Sequence, residues 1–225
     1  MKKYSNEINE RLTGRHKRSV SLCNVDNKRV LDIGCSYGWF EKFALENNCK
    51  EIIAIDPNPD AVAFCKKNYK DKRAKFIVAS ISNLKDFKPN SFDLIVCFEV
   101  LEHIPKNMEI ELFKTIRCLL KRGGRLILST PNKHFFSNLL DPAWYFGHRH
   151  YSESNLKRFI KSSRLKSDFF IKAGGFWELS SMVLLYLFKW VFHREIPFKA
   201  FFESKREFEY NKDNGMATIF MGATK

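Results

Sequence analysis

The stretch VLDIGCSYGWF at residues 30–40 decides the fold of this chain. An apolar run carries the acid Asp32, a loop of small residues follows from Gly34 to Gly38, and the next residues can open a helix. This order predicts a β-strand, a tight turn and a helix N-terminus. Backbone N–H groups at such a helix start favour the binding of nucleotide-like cofactors.

Three known patterns compete for this loop. A serine-hydrolase nucleophile elbow, G-x-S-x-G, fits Gly34, Ser36 and Gly38, but such an enzyme needs several strands before its nucleophile, and too little chain precedes Ser36. A dinucleotide-binding G-x-G-x-x-G requires glycine where this chain has Ser36 and Trp39, and Trp39 would block close packing of helix on strand. The pattern D-x-G-x-G-x-G departs only at Ser36, which is small, and it is the interpretation we adopt.

The bulk composition bounds the size and the partners of the protein. With 225 residues, 44% hydrophobic and 28% charged, the chain predicts one sizeable domain over residues 1–225. A net charge of +14 allows nucleic acid, an anionic membrane or acidic substrates as partners, although the scattered Lys and Arg favour a solvated basic surface. Six cysteines without a C-x-x-C pair argue against a zinc site, and with no apolar leader they predict a cytoplasmic protein.

Strand-like runs alternate with helical patterns along the chain. We expect strands at Arg29–Ile33, Glu51–Ile55, Lys75–Ala79, Phe92–Phe98, Arg125–Ser129, Leu165–Lys172 and Ala217–Ala223, and helices at Trp39–Asn47, Pro59–Tyr69, Lys106–Leu120 and Ser152–Ser163. Gly123 and Gly124 are expected to end the third of these helices, and residues 130–151 to form a loop. Such alternation predicts a parallel sheet with helices on both faces and a ligand at the carboxyl ends of its strands.

Two motifs together resemble one family. VLDIGCSYG at residues 30–38 and FDLIVCFEVLEHI at residues 92–104 are similar to the corresponding segments of the class I S-adenosylmethionine-dependent methyltransferases. The resemblance covers most of residues 15–132, with a looser match to about residue 164. It implies a Rossmann-like, doubly wound, mostly parallel seven-stranded sheet with an antiparallel last strand and a hydrophobic helical insertion before it. It also implies S-adenosylmethionine as the cofactor and S-adenosylhomocysteine as the product.

The resemblance further implies where the cofactor binds. The methionine end would lie over the first loop and the end of the fourth strand, with Arg15 holding the carboxylate, and Asp56 would accept hydrogen bonds from the ribose. The family often places an acid against the adenine, whereas this chain has Ser80 there. The implied cofactor-binding residues are Arg15, Asp32, Gly34, Cys35, Ser36, Gly38, Asp56, Pro57, Ser80, Ile81, Phe98 and Glu99.

Methyl transfer to a hydroxyl requires removal of a proton but no metal, because the cofactor carries the electrophile. Relatives often place a histidine after the fifth strand, so His148 is the first candidate base and His150 the second, with Glu99 beside the reacting centre. The alternative for both histidines is that they only fix the loop.

Two other functions stay open. Glu99, Glu102 and His103, with His148 or His150, resemble the metal ligands of small-RNA 2′-O-methyltransferases, and a basic protein suits RNA. A non-catalytic subunit that binds the cofactor, or nothing, is the other alternative, and Ser36 and Ser80 favour it.

Residues 176–210 form a hydrophobic and aromatic insertion. The uncharged stretch 182–188 is far shorter than the roughly 20 residues that span a bilayer, and Trp177, Lys189, Trp190 and Arg194 flank it. The insertion is therefore a core helix, a lid over an apolar substrate, or an element that docks on a membrane. The last two would suit a small-molecule, lipid or lipid-linked glycan acceptor and a peripheral position at the inner face of the membrane.

Overall fold

The first strand–turn–helix unit lies in the middle of a seven-stranded sheet. The computed structural model of the chain describes residues 12, 14–191, 193 and 198–225. Its strands are β1 (Arg29–Ile33), β2 (Glu51–Asp56), β3 (Ala74–Val78), β4 (Phe92–Phe98), β5 (Leu120–Pro131), β6 (Lys166–Ala173) and β7 (Thr218–Thr224). They are ordered β3-β2-β1-β4-β5-β7-β6. β1 to β5 pair in parallel, and β7 is antiparallel to both of its neighbours, so the predicted fold class is confirmed.

Helices cover both faces of the sheet. They are α1 (Arg15–Ser21), α2 (Trp39–Glu46), α3 (Pro59–Asn68), α4 (Glu109–Leu119), α5 (Phe135–Leu140), α6 (Pro142–Tyr145), α7 (Glu153–Ser163), α8 (Phe176–Trp190) and α9 (Lys199–Tyr210), with a 3-10 helix over Ile81–Asp86. Along β4, Ile95 and Cys97 join the core on one face, and Leu94 and Val96 the core on the other. Burial on both faces explains why these strands read as continuous apolar runs rather than alternating ones.

Two sequence predictions are wrong, the one about Gly123 and Gly124 and the one about a loop at residues 130–151. β5 begins at Leu120 and includes Gly123 and Gly124 instead of following them, because the ladder with β4 shifts register between Phe92 and Leu94. Residues 130–151 contain α5 and α6. The side chain of Asp141 accepts a hydrogen bond from the Ala143 amide, and Pro142 occupies the first helical position, which is an N-cap signal that the aromatic composition obscured.

The hydrophobic insertion is a pair of helices, α8 and α9. Among the described residues, no helix has the length and apolar character needed to cross a membrane. Phe192 and Arg194 lie outside the described residues, and the side chains of Lys189 and Trp190 are not described. α8 packs against α5, α6 and α9, and α9 packs against α1. These five helices, α1, α5, α6, α8 and α9, are called the helical cover below.

Candidate active site

The predicted cofactor residues meet at one edge because the strands that carry them run parallel. Ile33 of β1 pairs with Ile55 of β2, and Phe98 of β4 pairs with Ser129 of β5. The loop of residues 34–38, Asp56 and Glu99 therefore leave the sheet side by side. This is the edge at which doubly wound sheets bind ligands.

The first loop requires an unusual backbone. Gly34, Ser36 and Gly38 have φ of 87°, 47° and 89°, the left-handed region that favours glycine. A Cβ on Gly34 would lie 2.2 Å from Val100 Cγ2, and one on Gly38 would lie 2.7 Å from Tyr69 Cε2. Ser36 adopts this backbone without being glycine. The loop thus keeps the conformation of the glycine pattern at all three positions and delivers the chain to the N-terminus of α2.

Asp56 and Tyr69 fasten the loop from the side of β2 and α3. Asp56 Oδ2 accepts the Ser36 amide at 2.9 Å, and its Oδ1 accepts the Asn58 amide at 2.9 Å. The Tyr69 hydroxyl donates to the Gly38 carbonyl at 2.6 Å. Sequence reasoning missed Tyr69, because nothing in the local pattern places the end of α3 against this loop.

Two carboxyl groups lie buried beneath the loop. Asp32 is 3% exposed and Glu41 of α2 is fully buried. Neither Glu41 oxygen has a hydrogen-bond partner among the described residues. Burial raises the pKa of Asp32 to about 7. Burial, followed by the charge of Asp32, raises the pKa of Glu41 well above its usual range. Glu41 is a missed residue whose only signal is an acid within an otherwise apolar helix face.

The other predicted cofactor residues fall into two groups. Pro57, Ser80 and Ile81 are exposed or half-buried at the ends of β2 and β3. Ser80 forms a capping box with Asn83 that begins the 3-10 helix. Cys35 is 1% and Phe98 8% exposed, and the Phe98 ring packs against the rings of Trp39 and Phe40. The side chains of Cys35 and Phe98 therefore belong to the core beneath the site.

Glu99 lies at the end of β4 in the left-handed region, with φ of 54°. Its Oε1 accepts the Ser129 hydroxyl at 2.7 Å, and its Oε2 accepts Arg15 Nη1 at 2.6 Å. A strained non-glycine residue at a strand end is typical of a binding site. The next residue of α1, His16, stacks on Trp39 at 4.5 Å, and burial, with Arg15 and Arg206, lowers its pKa to about 4.

The two candidate bases differ in environment. His148 is half-buried, and its ring meets that of His103 edge to face at 4.3 Å. His150 has a fully buried side chain, with Nδ1 2.8 Å from Asn138 Oδ1 and Nε2 2.9 Å from Asp141 Oδ2. Both nitrogens of His150 are thus within hydrogen-bond distance of side chains of the fold.

Arg149 joins the histidine segment to the loop after β4. Its Nη1 lies 2.5 Å from Glu109 Oε1, its Nη2 donates to the carbonyls of Leu101 and Ile104, and the Tyr151 hydroxyl donates to Glu109 Oε1 at 3.0 Å. This clamp was missed, because its partners are 40 or more residues away in sequence.

The residues proposed for a two-Glu, two-His metal site are engaged separately. Thr130 donates to Glu102 at 3.0 Å, Arg15 and Ser129 hold Glu99, and His150 is tied to Asp141. Within the described part of the chain, no three Asp, Glu, His or Cys side chains are placed to share a metal ion.

The chain is similar to known methyltransferases in both sequence and fold. Residues 6–167, more than two thirds of the chain, match the family described as methyltransferase domain. The chain is 35% identical over 107 residues to a ubiquinone biosynthesis O-methyltransferase of Xanthomonas campestris pv. campestris (strain B100), which covers 47% of this chain and 44% of that protein. It is 32% identical over 115 residues to a tRNA U34 carboxymethyltransferase of Helicobacter acinonychis (strain Sheeba), covering 48% and 42%.

A solved S-adenosylmethionine-dependent methyltransferase from Mesorhizobium loti has the same fold. It superposes with a TM-score of 0.64 at 17% identity and covers 93% of this chain and 96% of its own. By contrast, the match to the curated relatives spans less than half of their length. The fold is therefore shared over nearly the whole chain, while the sequence match to these curated relatives covers about half of it.

Proposed function

The chain belongs to the class I S-adenosylmethionine-dependent methyltransferases, and we propose that it transfers the methyl group to a hydroxyl oxygen of a small or lipid-linked acceptor. The bound cofactor supplies an electrophilic sulfonium methyl. The protein then has to hold the cofactor, align the hydroxyl and remove its proton.

We assign the cofactor's amino-acid end to Arg15 and Glu99. A cation and an anion 2.6 Å apart match the carboxylate and ammonium of a zwitterion, each in reach of its opposite charge. The ribose is assigned to Asp56, whose carboxylate already orders the loop, and the adenine edge to Ser80 and Ile81 with Pro57 beside them. The backbone of the loop from Asp32 to Gly38 forms the floor.

The assignment of the base rests on the difference in environment between His148 and His150. His148 is the candidate with a ring accessible at the carboxyl edge, and it lies against His103. Burial, followed by His148 and Arg149, lowers the pKa of His103, which keeps that neighbour neutral. We assign His148 as the base and His150 as the residue that positions the segment through Asn138 and Asp141.

An apolar acceptor is supported by two facts. Exposed aromatic side chains, including Phe135, Phe136, Tyr145 and Phe146, lie on the helices that precede His148. The Xanthomonas relative bears a name in ubiquinone biosynthesis. We therefore propose phenolic or lipid-linked hydroxyl compounds as acceptors and a cytoplasmic protein that works at the inner face of a membrane. The Helicobacter relative, named for a tRNA modification, keeps nucleic acid as the second candidate acceptor.

The test combines cofactor binding with methyl transfer. Calorimetry with S-adenosylhomocysteine should give binding, and a panel of phenols with and without an isoprenoid tail should accept methyl groups, the tailed compounds better. His148→Ala should lower kcat on the order of a hundredfold or more without changing the dissociation constant of S-adenosylhomocysteine. His134→Ala, which changes an exposed histidine of the helical cover, is the matched control.

The other outcomes each select a different function. Failure to bind S-adenosylhomocysteine at millimolar concentration would leave an interaction subunit without catalysis. Binding without transfer to any phenol, but with transfer to RNA, would select the nucleic-acid alternative. Full activity of His148→Ala would remove the assigned base.

A further inference from the structure

Helix α9 has its charged face turned toward the protein. Arg206 pairs with Glu178 of α8, and Glu207 pairs with Lys17 of α1. Glu209 accepts the amides of Gly175, Trp177 and Glu178 at 2.9 Å each, and so satisfies the N-terminus of α8. The inner side of α9 thus combines ion pairs and helix-capping contacts with the ring of Tyr210, which is 1% exposed.

The outer side of α9 alternates phenylalanine with lysine. Phe198, Phe201, Lys205, Phe208 and Lys212 follow one another at helical spacing and are all exposed, with the three rings 80%, 48% and 60% accessible. Lys205 Nζ lies 5.4 Å from the centre of the Phe201 ring, and Lys212 Nζ lies 4.1 Å from that of Phe208. α9 thus presents an apolar stripe to solvent in addition to the Tyr210 ring that it buries.

Further exposed apolar side chains lie on the neighbouring helices. Phe176, Val183, Leu187 and Val191 form an exposed row at helical spacing on α8, and Phe135, Phe136 and Leu139 project from α5. Of the large apolar side chains that are exposed in the described residues, all but Ile77 and Val78 of β3 lie on the helical cover or the turns that border it. A patch concentrated on one side in this way marks an interaction surface.

The charged residues of this surface indicate what kind of partner binds it. In the described part of the cover, acids are held by cations, backbone amides or His150, as in Glu178, Glu207 and Glu209. Lys133, Lys205 and Lys212 are exposed and have no carboxylate partner there. The surface therefore combines exposed rings with unneutralised cations, within a chain of net charge +14.

We propose that the outer stripe of α9 docks the protein on an anionic phospholipid bilayer. Phenylalanine rings enter the boundary between headgroups and acyl chains, and the lysines reach the lipid phosphates. Neither α8, with 15 residues, nor α9, with 12, is long enough to span the hydrocarbon core, so the helices lie on the membrane. Docking brings α5 and α6, which pack against α8 and precede His148, to the lipid surface.

This inference deepens the proposed function, on which the role of docking in methyl transfer rests. Vesicle binding itself is measured without any methyl acceptor. Co-sedimentation should show binding to vesicles of phosphatidylcholine with phosphatidylglycerol, and weak binding to phosphatidylcholine alone or at high salt. Lys205→Gln/Lys212→Gln should weaken binding to anionic vesicles about fivefold per lysine. Phe201→Ser/Phe208→Ser should weaken it more than about tenfold.

Matched controls separate docking from folding and from catalysis. Val78→Ser on the edge strand β3 and Lys66→Gln/Lys67→Gln on α3 change exposed residues outside the helical cover and should bind vesicles as the parent does. All variants should bind S-adenosylhomocysteine equally. Equal vesicle binding by parent and Phe201→Ser/Phe208→Ser would overturn the proposal. So would a dimer in sedimentation velocity that this variant abolishes, because a second copy would then be the occupant. Loss of S-adenosylhomocysteine binding in the parent would instead count against the proposed function.

Discussion

At the residue scale, the paired carboxyls under the cofactor loop set a pH dependence of stability. The pKa of Asp32 in the folded protein is about 7, against an ordinary value of 3.8, with burial as the main cause. Between these values the folded state holds a proton that the unfolded state has lost, so the free energy of unfolding falls as pH rises through this window. Glu41, whose pKa is also raised, contributes to the same loss.

We therefore expect the parent to lose on the order of 2–4 kcal/mol of unfolding free energy between about pH 5 and pH 8. Glu41→Gln keeps the shape of the side chain and removes one ionisable group, so its stability should fall less over the same range. Urea denaturation at several pH values measures both curves. Glu46→Gln, an exposed position on the same helix, should reproduce the parent. Parallel curves for parent and Glu41→Gln would show that the pair does not titrate as argued.

At the element scale, the four consecutive residues 148–151 tie three parts of the molecule together. His148 faces His103 of the loop after β4, Arg149 reaches the carbonyls of that loop, and His150 turns to Asn138 and Asp141 of the α5–α6 region. Tyr151 forms a bridge to Asn132 after β5. The short segment therefore sets the place of the assigned base relative to the end of β4.

Arg149→Met should lower kcat while leaving the affinity for S-adenosylhomocysteine within twofold of the parent, a margin of about 0.4 kcal/mol. The reason is that the guanidinium holds the His103 loop but does not contact Arg15, Asp56 or the first loop. Losing the partner of Glu109, which is 9% exposed, should also cost on the order of 2–4 kcal/mol of stability.

Steady-state kinetics and calorimetry separate the two effects of Arg149→Met. Arg149→Lys should recover part of kcat, and Arg158→Met on exposed α7 should behave as the parent. A loss of cofactor affinity equal to the loss of kcat would refute the positioning role.

Most elements were predictable from sequence to within one or two residues, including α7, β6 and β7 far from the first loop, whereas the start of β5 and the helices α5 and α6 were not. β1, β4 and the N-terminus of α2 follow from apolar runs and small residues, and the structure places them at the predicted positions within one or two residues. The paths of β5 and of residues 130–151 depend on register and on a cap at Asp141. At the site, Asp56 and Glu99 were found as strand-end residues, whereas the contacts of Glu41, Tyr69 and Arg149 are made by side chains that only the tertiary fold brings together.

At the scale of the whole molecule, the helical cover and the cofactor edge are mechanically connected. α1 carries Arg15, which pairs with Glu99, and it is tied to the α9 region by Lys17 with Glu207 and Arg18 with Asp213. α9 in turn holds α8 through Glu178 and Glu209. A change that destabilises α9 should therefore also make the position of Arg15 less well fixed, and Arg15 is the residue that we assign to the cofactor's carboxylate.

Arg206→Met tests this connection, because it leaves Glu178, which is 3% exposed, without its cation. Removing one partner of a buried pair costs on the order of 3 kcal/mol or more, and the cost should fall on the cover before the sheet. Hydrogen exchange should quicken in α1, α8 and α9 and stay unchanged in β1 and β4, and the affinity for S-adenosylhomocysteine should fall through Arg15. Glu178→Gln/Arg206→Met removes the stranded charge and should recover much of the protection. Equally faster hydrogen exchange in the sheet would mean that the cover and the sheet unfold as one unit. Unchanged affinity for S-adenosylhomocysteine, together with faster exchange in the cover, would show that the position of Arg15 does not depend on α9.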